Sequence, residues 1–116
     1  MYEKKIKHTN EKIEAIINIL EFLKEIIKAP ETDLLHSTFN TAEDLINELD
    51  NHVLKLTKED FSKIDDLIIL FAPTSDLQEV SIDSGWEKLY INISERFDIA
   101  INNLIDEYNL RPLSKR

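Results

Sequence analysis

The 116-residue chain has the length of one domain, carries a net charge of −9, and contains no cysteine and a single glycine, Gly85. Without cysteine the chain can form no disulfide, no thiolate metal site and no cysteine nucleophile. With one glycine it can form neither a P-loop nor a dinucleotide-binding fingerprint. The apolar share of 42% is near that of globular proteins. We therefore expect residues 1–110 to fold as one domain, followed by a flexible C-terminal tail at 111–116.

The first predicted helix covers residues 3–28. It ends before Pro30, because the residue before a proline avoids the α region. The apolar positions expected to face the core recur every three or four residues, as on one side of an amphipathic helix: Ile6, Ile13, Ile16, Leu20, Leu23 and Ile27. Phe22 and its apolar neighbours widen this stripe, so we expect the second half of the helix to be well buried.

The second predicted helix covers residues 33–56 and contains neither glycine nor proline. Its apolar residues follow alternating steps of four and three, as in a heptad seam: Leu35, Phe39, Ala42, Ile46, Leu49, Val53 and Leu56. A start at Thr41 competes, since residues 41–44 resemble a capping box, and residues 36–40 would then form a turn. One continuous helix is the preferred interpretation.

Two further helices follow. The third is predicted at residues 58–72, with Thr57 near its cap, and ends before Pro73. The last is predicted at residues 85–109, because Ser84 and Glu87 have the spacing of a capping box. The linker between them, 73–84, is expected to hold one short helical turn at 75–81. Four helices with short connections predict an all-α fold, an antiparallel four-helix bundle.

No set of side chains in the sequence indicates catalysis, a metal site or a cofactor. Glu48 and His52 are four residues apart and could share a helix face, but the predicted seam places them at its edge, as a solvated surface pair. Asp65 and Asp66 are adjacent, so their side chains point about 100° apart on a helix and do not form a shared-proton pair. We expect no catalytic residue and no bound metal.

The acidic residues are concentrated in the middle of the chain. Residues 31–85 hold thirteen acidic side chains and three lysines, whereas the segments on either side are nearly balanced. Such one-sided charge attracts a basic partner and repels nucleic acid and anionic membranes. Trp86 is included as an aromatic anchor, although its place in an apolar stripe also fits the core. The residues expected to contact the partner are Glu43, Asp44, Glu48, Glu59, Asp65, Asp66, Asp76, Glu79, Asp83 and Trp86.

These features favour a small protein-binding protein. The hypothesis is a cytoplasmic inhibitor of the kind of bacterial immunity proteins and antitoxins, which neutralises a basic, nuclease-type toxin domain by occupying its positive groove. The alternative is a structural or adaptor bundle that acts through self- or hetero-association of its helices, including a homodimer. We expect no membrane span, since the longest uncharged stretch near the middle, residues 67–75, is too short to cross a bilayer.

Overall fold

The computed structural model describes residues 10–113, and every regular element in that range is an α-helix. In chain order the helices are α1 (Glu11–Ile27), α2 (Ala42–Thr57), α3 (Ile64–Leu70), α4 (Asp76–Ser84) and α5 (Glu87–Tyr108). The predicted all-α fold is confirmed, with five helices where the sequence predicts four. Within the described range, none of these helices has both the length and the apolar character that a bilayer crossing requires.

Helix α1 is the central element, because it packs against both α2 and α5. The Asn10 side chain caps its start by accepting a hydrogen bond from the backbone N–H of Lys12 at 2.7 Å. The predicted core stripe is confirmed from Ile13 to Ile27, all of its members there being fully buried. The first part of the predicted helix, residues 3–9, lies outside the described residues, as does the tail at 114–116.

The prediction that the second helix begins at residue 33 is wrong. Helix α2 begins at Ala42, and the Thr41 hydroxyl caps it by accepting from the backbone N–H of Asp44 at 3.0 Å. Before it, the Asp33 carboxylate accepts from the Leu35 N–H, and the Ser37 hydroxyl accepts from the Phe39 N–H. These local bonds between side chain and backbone compete with the helical ladder, so residues 33–41 form turns instead.

The buried face of α2 also differs from the predicted seam. Leu45, Leu49, His52 and Leu56 are buried, whereas Ala42, Ile46 and Val53 are only half-buried. Leu35, placed at the head of the seam by the sequence pattern, is 76% exposed. The prediction is confirmed for Leu49 and Leu56, but the buried face is centred nearer to Leu45 and His52 than the seam predicts.

Helix α3 is shorter than predicted, running from Ile64 to Leu70 rather than over 58–72. Thr57 belongs to α2, where its hydroxyl donates to the Val53 carbonyl oxygen at 2.8 Å. The chain then turns through Glu59, which has a φ of 55°, and Asp60, whose carboxylate accepts from the Ser62 N–H. This turn occupies the residues that the sequence assigns to the cap and first turns of the third helix.

The segment expected to form one short turn at 75–81 is a nine-residue helix, α4. It ends at Gly85, whose φ of 89° is the left-handed conformation typical of a helix C-terminus. The Trp86 N–H then donates to the Ser81 carbonyl oxygen at 2.9 Å, which closes the turn. Ser84 therefore lies in the last turn of α4 and does not cap α5, which begins at Glu87.

Aromatic rings join α5 to the short helices. Phe71, just after α3, stacks on Phe97 with ring centroids 3.7 Å apart and planes 5° apart. The Tyr90 ring is nearly parallel to that of Phe71, with ring centroids 6.3 Å apart. All three residues are buried, so this stack fixes the end of α3 against the middle of α5. The acidic residues of α2, α3 and α4 lie outside this buried stack.

Candidate functional site

The acids of α2 and α3 meet around a buried histidine. His52 is 2% exposed, and its Nε2 lies 2.9 Å from a carboxylate oxygen of Glu48, one turn earlier on α2. Because a carboxylate accepts hydrogen bonds, the ring N–H donates to it. Asp66, on α3, also acts electrostatically on the His52 ring. Two carboxylates that are eighteen positions apart in sequence, those of Glu48 and Asp66, therefore both act on the His52 ring.

The interpretation of Glu48 and His52 as a solvated surface pair is wrong for the histidine. Helix α3 covers the ring, leaving a gap of only ≈ 10 Å³ lined by His52, Ile64, Leu67 and their neighbours. Burial lowers the pKa of His52 below its ordinary value of 6.5, and the negative charge of Glu48 opposes that shift in part. The predicted seam includes Leu49 and Leu56, which are buried, but it leaves out His52, which shares their buried face.

We call the acids of this region the α2–α3 acidic surface, which consists of Glu43, Asp44, Glu48, Glu59, Asp65 and Asp66. Asp44 and Glu48 are one turn apart, so they are neighbours on one face of α2. Glu43, Asp44, Glu59 and Asp66 are exposed, and Glu48 and Asp65 are half-buried.

Lysines neutralise the region only in part. Lys63 lies 3.6 Å from Asp66, and Lys55 lies 3.4 Å from Asp60. The carboxylates of both pairs are well exposed, so water and salt screen these ion pairs. The α2–α3 acidic surface therefore keeps an excess of negative charge.

The acids of α4 have a different role, because they hold the segment before α2. Asp76 accepts two hydrogen bonds from Thr38, one from its backbone N–H and one from its hydroxyl, both at 2.8 Å. Two turns later, Asp83 accepts from the His36 N–H at 3.3 Å and lies 2.9 Å from the His36 ring nitrogen Nδ1. This contact raises the pKa of His36 above 6.5.

Ser84, at the end of α4, adds another bond to this attachment. The backbone N–H of Asp33 donates to the Ser84 hydroxyl at 2.7 Å. Residues 31–41 are thus fastened to α4 at both ends of the helix. Sequence reasoning missed these contacts because periodicity describes neighbours within a helix and carries no signal for partners about forty to fifty positions apart.

The two remaining predicted residues lie beside these anchors. Glu79 is half-buried on α4, between Asp76 and Asp83. Trp86 is half-buried, packs against the core and meets the edge of Tyr90 with ring centroids 6.2 Å apart. Trp86 is therefore partly a core residue, and only part of its surface remains for a partner.

A second surface feature lies between α1 and α5, where the sequence pattern predicts no site. A groove of ≈ 1000 Å³ separates the outer edges of the two helices. Phe22, expected to be buried, is 50% exposed in it, together with Leu89 at 40% and Ile99 at 65%. The groove is open to solvent and mainly apolar.

Within residues 10–113, no three histidine, aspartate or glutamate side chains are grouped so as to hold a metal ion. No family model matches the sequence, and comparisons with curated proteins and with solved structures gave no match.

Proposed function

We propose that this chain is a protein-binding protein that neutralises a basic partner, and that the partner is a nucleic-acid-cleaving toxin domain of the kind blocked by immunity proteins and antitoxins. The observation that carries the proposal is the convergence of Glu48 from α2 and Asp66 from α3 on the same buried histidine. A binding surface for a basic protein needs carboxylates from different elements on one face, and the action of both carboxylates on one ring supports such an arrangement.

The chemistry of the partner follows from the charge. A nuclease binds a polyanion, so its substrate groove must be lined with lysine and arginine. A folded protein whose carboxylates stand in place of phosphates can fill such a groove and exclude the substrate. Long-range attraction also speeds the encounter, which suits an inhibitor that must act before the toxin reaches nucleic acid.

The structure separates the ten expected contact residues into those that already have contacts within the fold and those that remain for a partner. Asp76 and Asp83 already accept hydrogen bonds from residues 31–41, and Trp86 is partly in the core. We therefore assign the contact to the α2–α3 acidic surface, and Glu79 stays a separate expected contact on α4. Asp76 and Asp83 support the shape of the neighbouring segment.

The test begins with capture of partners from a lysate of the source cells, using the full chain as bait and a salt gradient for elution. We expect a basic protein that salt releases, that cleaves nucleic acid when purified, and whose cleavage stops when one equivalent of the chain is added. Recovery of the chain alone would contradict the proposal, as would a partner without nucleolytic activity.

A further inference from the structure

The groove between α1 and α5 has the composition of an interface rather than of an ordinary exposed surface. Single exposed apolar residues are common, but Phe22, Leu89 and Ile99 line one continuous groove. The α5 residues that line it extend from Leu89 to Asn103, which is about 21 Å along a helix axis. A groove of this length and character is suited to another helix face.

The charges in the groove distinguish it from the rest of the molecule. Its lining holds one acid and one base, Glu95 and Arg96, which are adjacent on α5. Among residues 10–113, neither forms an ion pair with another residue. The groove is thus electrically neutral in a chain of net charge −9, and it contains two opposite charges that lack a partner within the described range.

We propose that a second copy of this chain docks on the α1–α5 groove to form a twofold symmetric dimer. Two copies repel one another through their acidic surfaces, so a neutral apolar face is where they can approach closely. A twofold axis near residues 95 and 96 places Glu95 of each copy opposite Arg96 of the other. One adjacent acid–base pair therefore yields two intermolecular ion pairs, which is the self-complementarity that such an interface requires.

The other polar side chains of the groove fit the same arrangement. Asn18, Asn92 and Asn103 carry amides that both donate and accept hydrogen bonds, so they can pair with an identical surface. The apolar residues supply most of the binding free energy, and the charges fix the register. This dimer uses a different surface from the proposed partner contact, and either inference can fail without the other.

The test is sedimentation velocity of the full chain from micromolar to millimolar concentration. We expect a reversible monomer–dimer equilibrium that depends little on salt. Each copy contributes positions 95 and 96 to the axis. In a dimer of the Arg96→Glu variant all four of these side chains are acids, and in a dimer of the Glu95→Arg variant all four are bases. Each variant alone should therefore dimerise at least about tenfold more weakly than the wild type. The matched controls are Lys88→Glu and Asp106→Arg, exposed positions of α5 outside the groove, which should leave the dimer unchanged.

Mixing the two variants supplies the decisive result. Arg96→Glu presents only acids and Glu95→Arg only bases, so an equimolar mixture should form a heterodimer although each variant alone stays monomeric. The double variant with both changes should dimerise like the wild type. A wild type that stays monomeric at millimolar concentration would overturn the proposal, as would variants that dimerise as well as the wild type or a mixture that does not associate.

Discussion

At the scale of single residues, His52 links the acids of α2 and α3. It is buried beneath α3, hydrogen-bonded to Glu48 and close enough to Asp66 and Lys63 to respond to their charges. The four-residue spacing of Glu48 and His52 is visible in the sequence, but the burial of the ring is not. That burial comes from residues of α3 and of the turn before it that line the ring, and a pattern within α2 carries no signal for them.

The two described histidines should contribute to the pH dependence of stability with opposite signs. The pKa of His52 is lowered from 6.5, so the unfolded chain binds more protons there, and its contribution to stability is lost as pH falls below 6.5. The pKa of His36 is raised from 6.5, so its contribution is present below 6.5 and is lost as pH rises through its folded pKa.

The measurement is the free energy of unfolding in urea as a function of pH on both sides of 6.5. His52→Gln keeps a donor for Glu48 but removes the titration, so stability should rise less with pH than in the wild type. His36→Gln should make the rise steeper. Equal pH dependence in the wild type and the His52→Gln variant would show that burial of the His52 ring does not affect its titration.

Asp76 should be a structural residue rather than a contact residue. Asp76→Ala removes both hydrogen bonds to Thr38, which should lower the free energy of unfolding by about 1–3 kcal/mol, since one such bond contributes a net 0.5–1.5 kcal/mol. Amide hydrogen exchange at Thr38 should accelerate, because that N–H loses its acceptor. Glu79→Ala on the same helix is the control and should change neither quantity. Unchanged exchange at Thr38 would show that Asp76 does not hold the segment.

At the scale of the elements, sequence patterns predicted the helices that have a clear amphipathic stripe and a clear stop. Helix α1 ends beside Pro30 as expected, and α5 differs from its prediction by one or two residues at each end. The failures are at 33–41, 58–63 and 76–84, where side-chain bonds to the backbone or one left-handed residue decide the outcome. Gly85 is the clearest example. The sequence predicts that a helix begins at this residue, whereas Gly85 ends α4.

Gly85 should tolerate asparagine better than alanine. A Cβ at this position would meet no atom within 4 Å, so the cost of a substitution comes only from the φ of 89°. Gly85→Ala should lower the free energy of unfolding by about 1–2 kcal/mol, the cost of the left-handed conformation for a residue with a Cβ. Gly85→Asn should cost less, as Asn109 adopts the same conformation at the end of α5. Equal losses in urea unfolding would contradict this account.

At the scale of the whole molecule, two surfaces of different chemistry coexist. The α2–α3 acidic surface carries excess negative charge, and the α1–α5 groove is apolar and neutral. Composition predicted the first, because charge is visible in the sequence. It could not predict the second, since the stripe of α1 gives Phe22 the same pattern as its buried neighbours, and only the packing of α5 leaves it exposed.

The central claim is that the α2–α3 acidic surface binds a basic partner, and it predicts how affinity depends on salt. Neutralising Glu43, Asp44 and Asp66 together, as Gln, Asn and Asn, removes three exposed carboxylates without removing a side-chain hydrogen bond to the described fold. The matched control neutralises Glu14, Glu87 and Asp106, which are equally exposed but outside this surface. Both variants carry the same net charge.

The most direct measurement is the dissociation constant of the captured partner as a function of salt concentration, for the wild type and both variants. We expect the wild type and the control to lose affinity steeply with salt. The Glu43, Asp44 and Asp66 variant should bind at least about tenfold more weakly at low salt, with a shallower dependence on salt. Identical affinity and salt dependence in the two variants would show that the α2–α3 acidic surface is not the binding site.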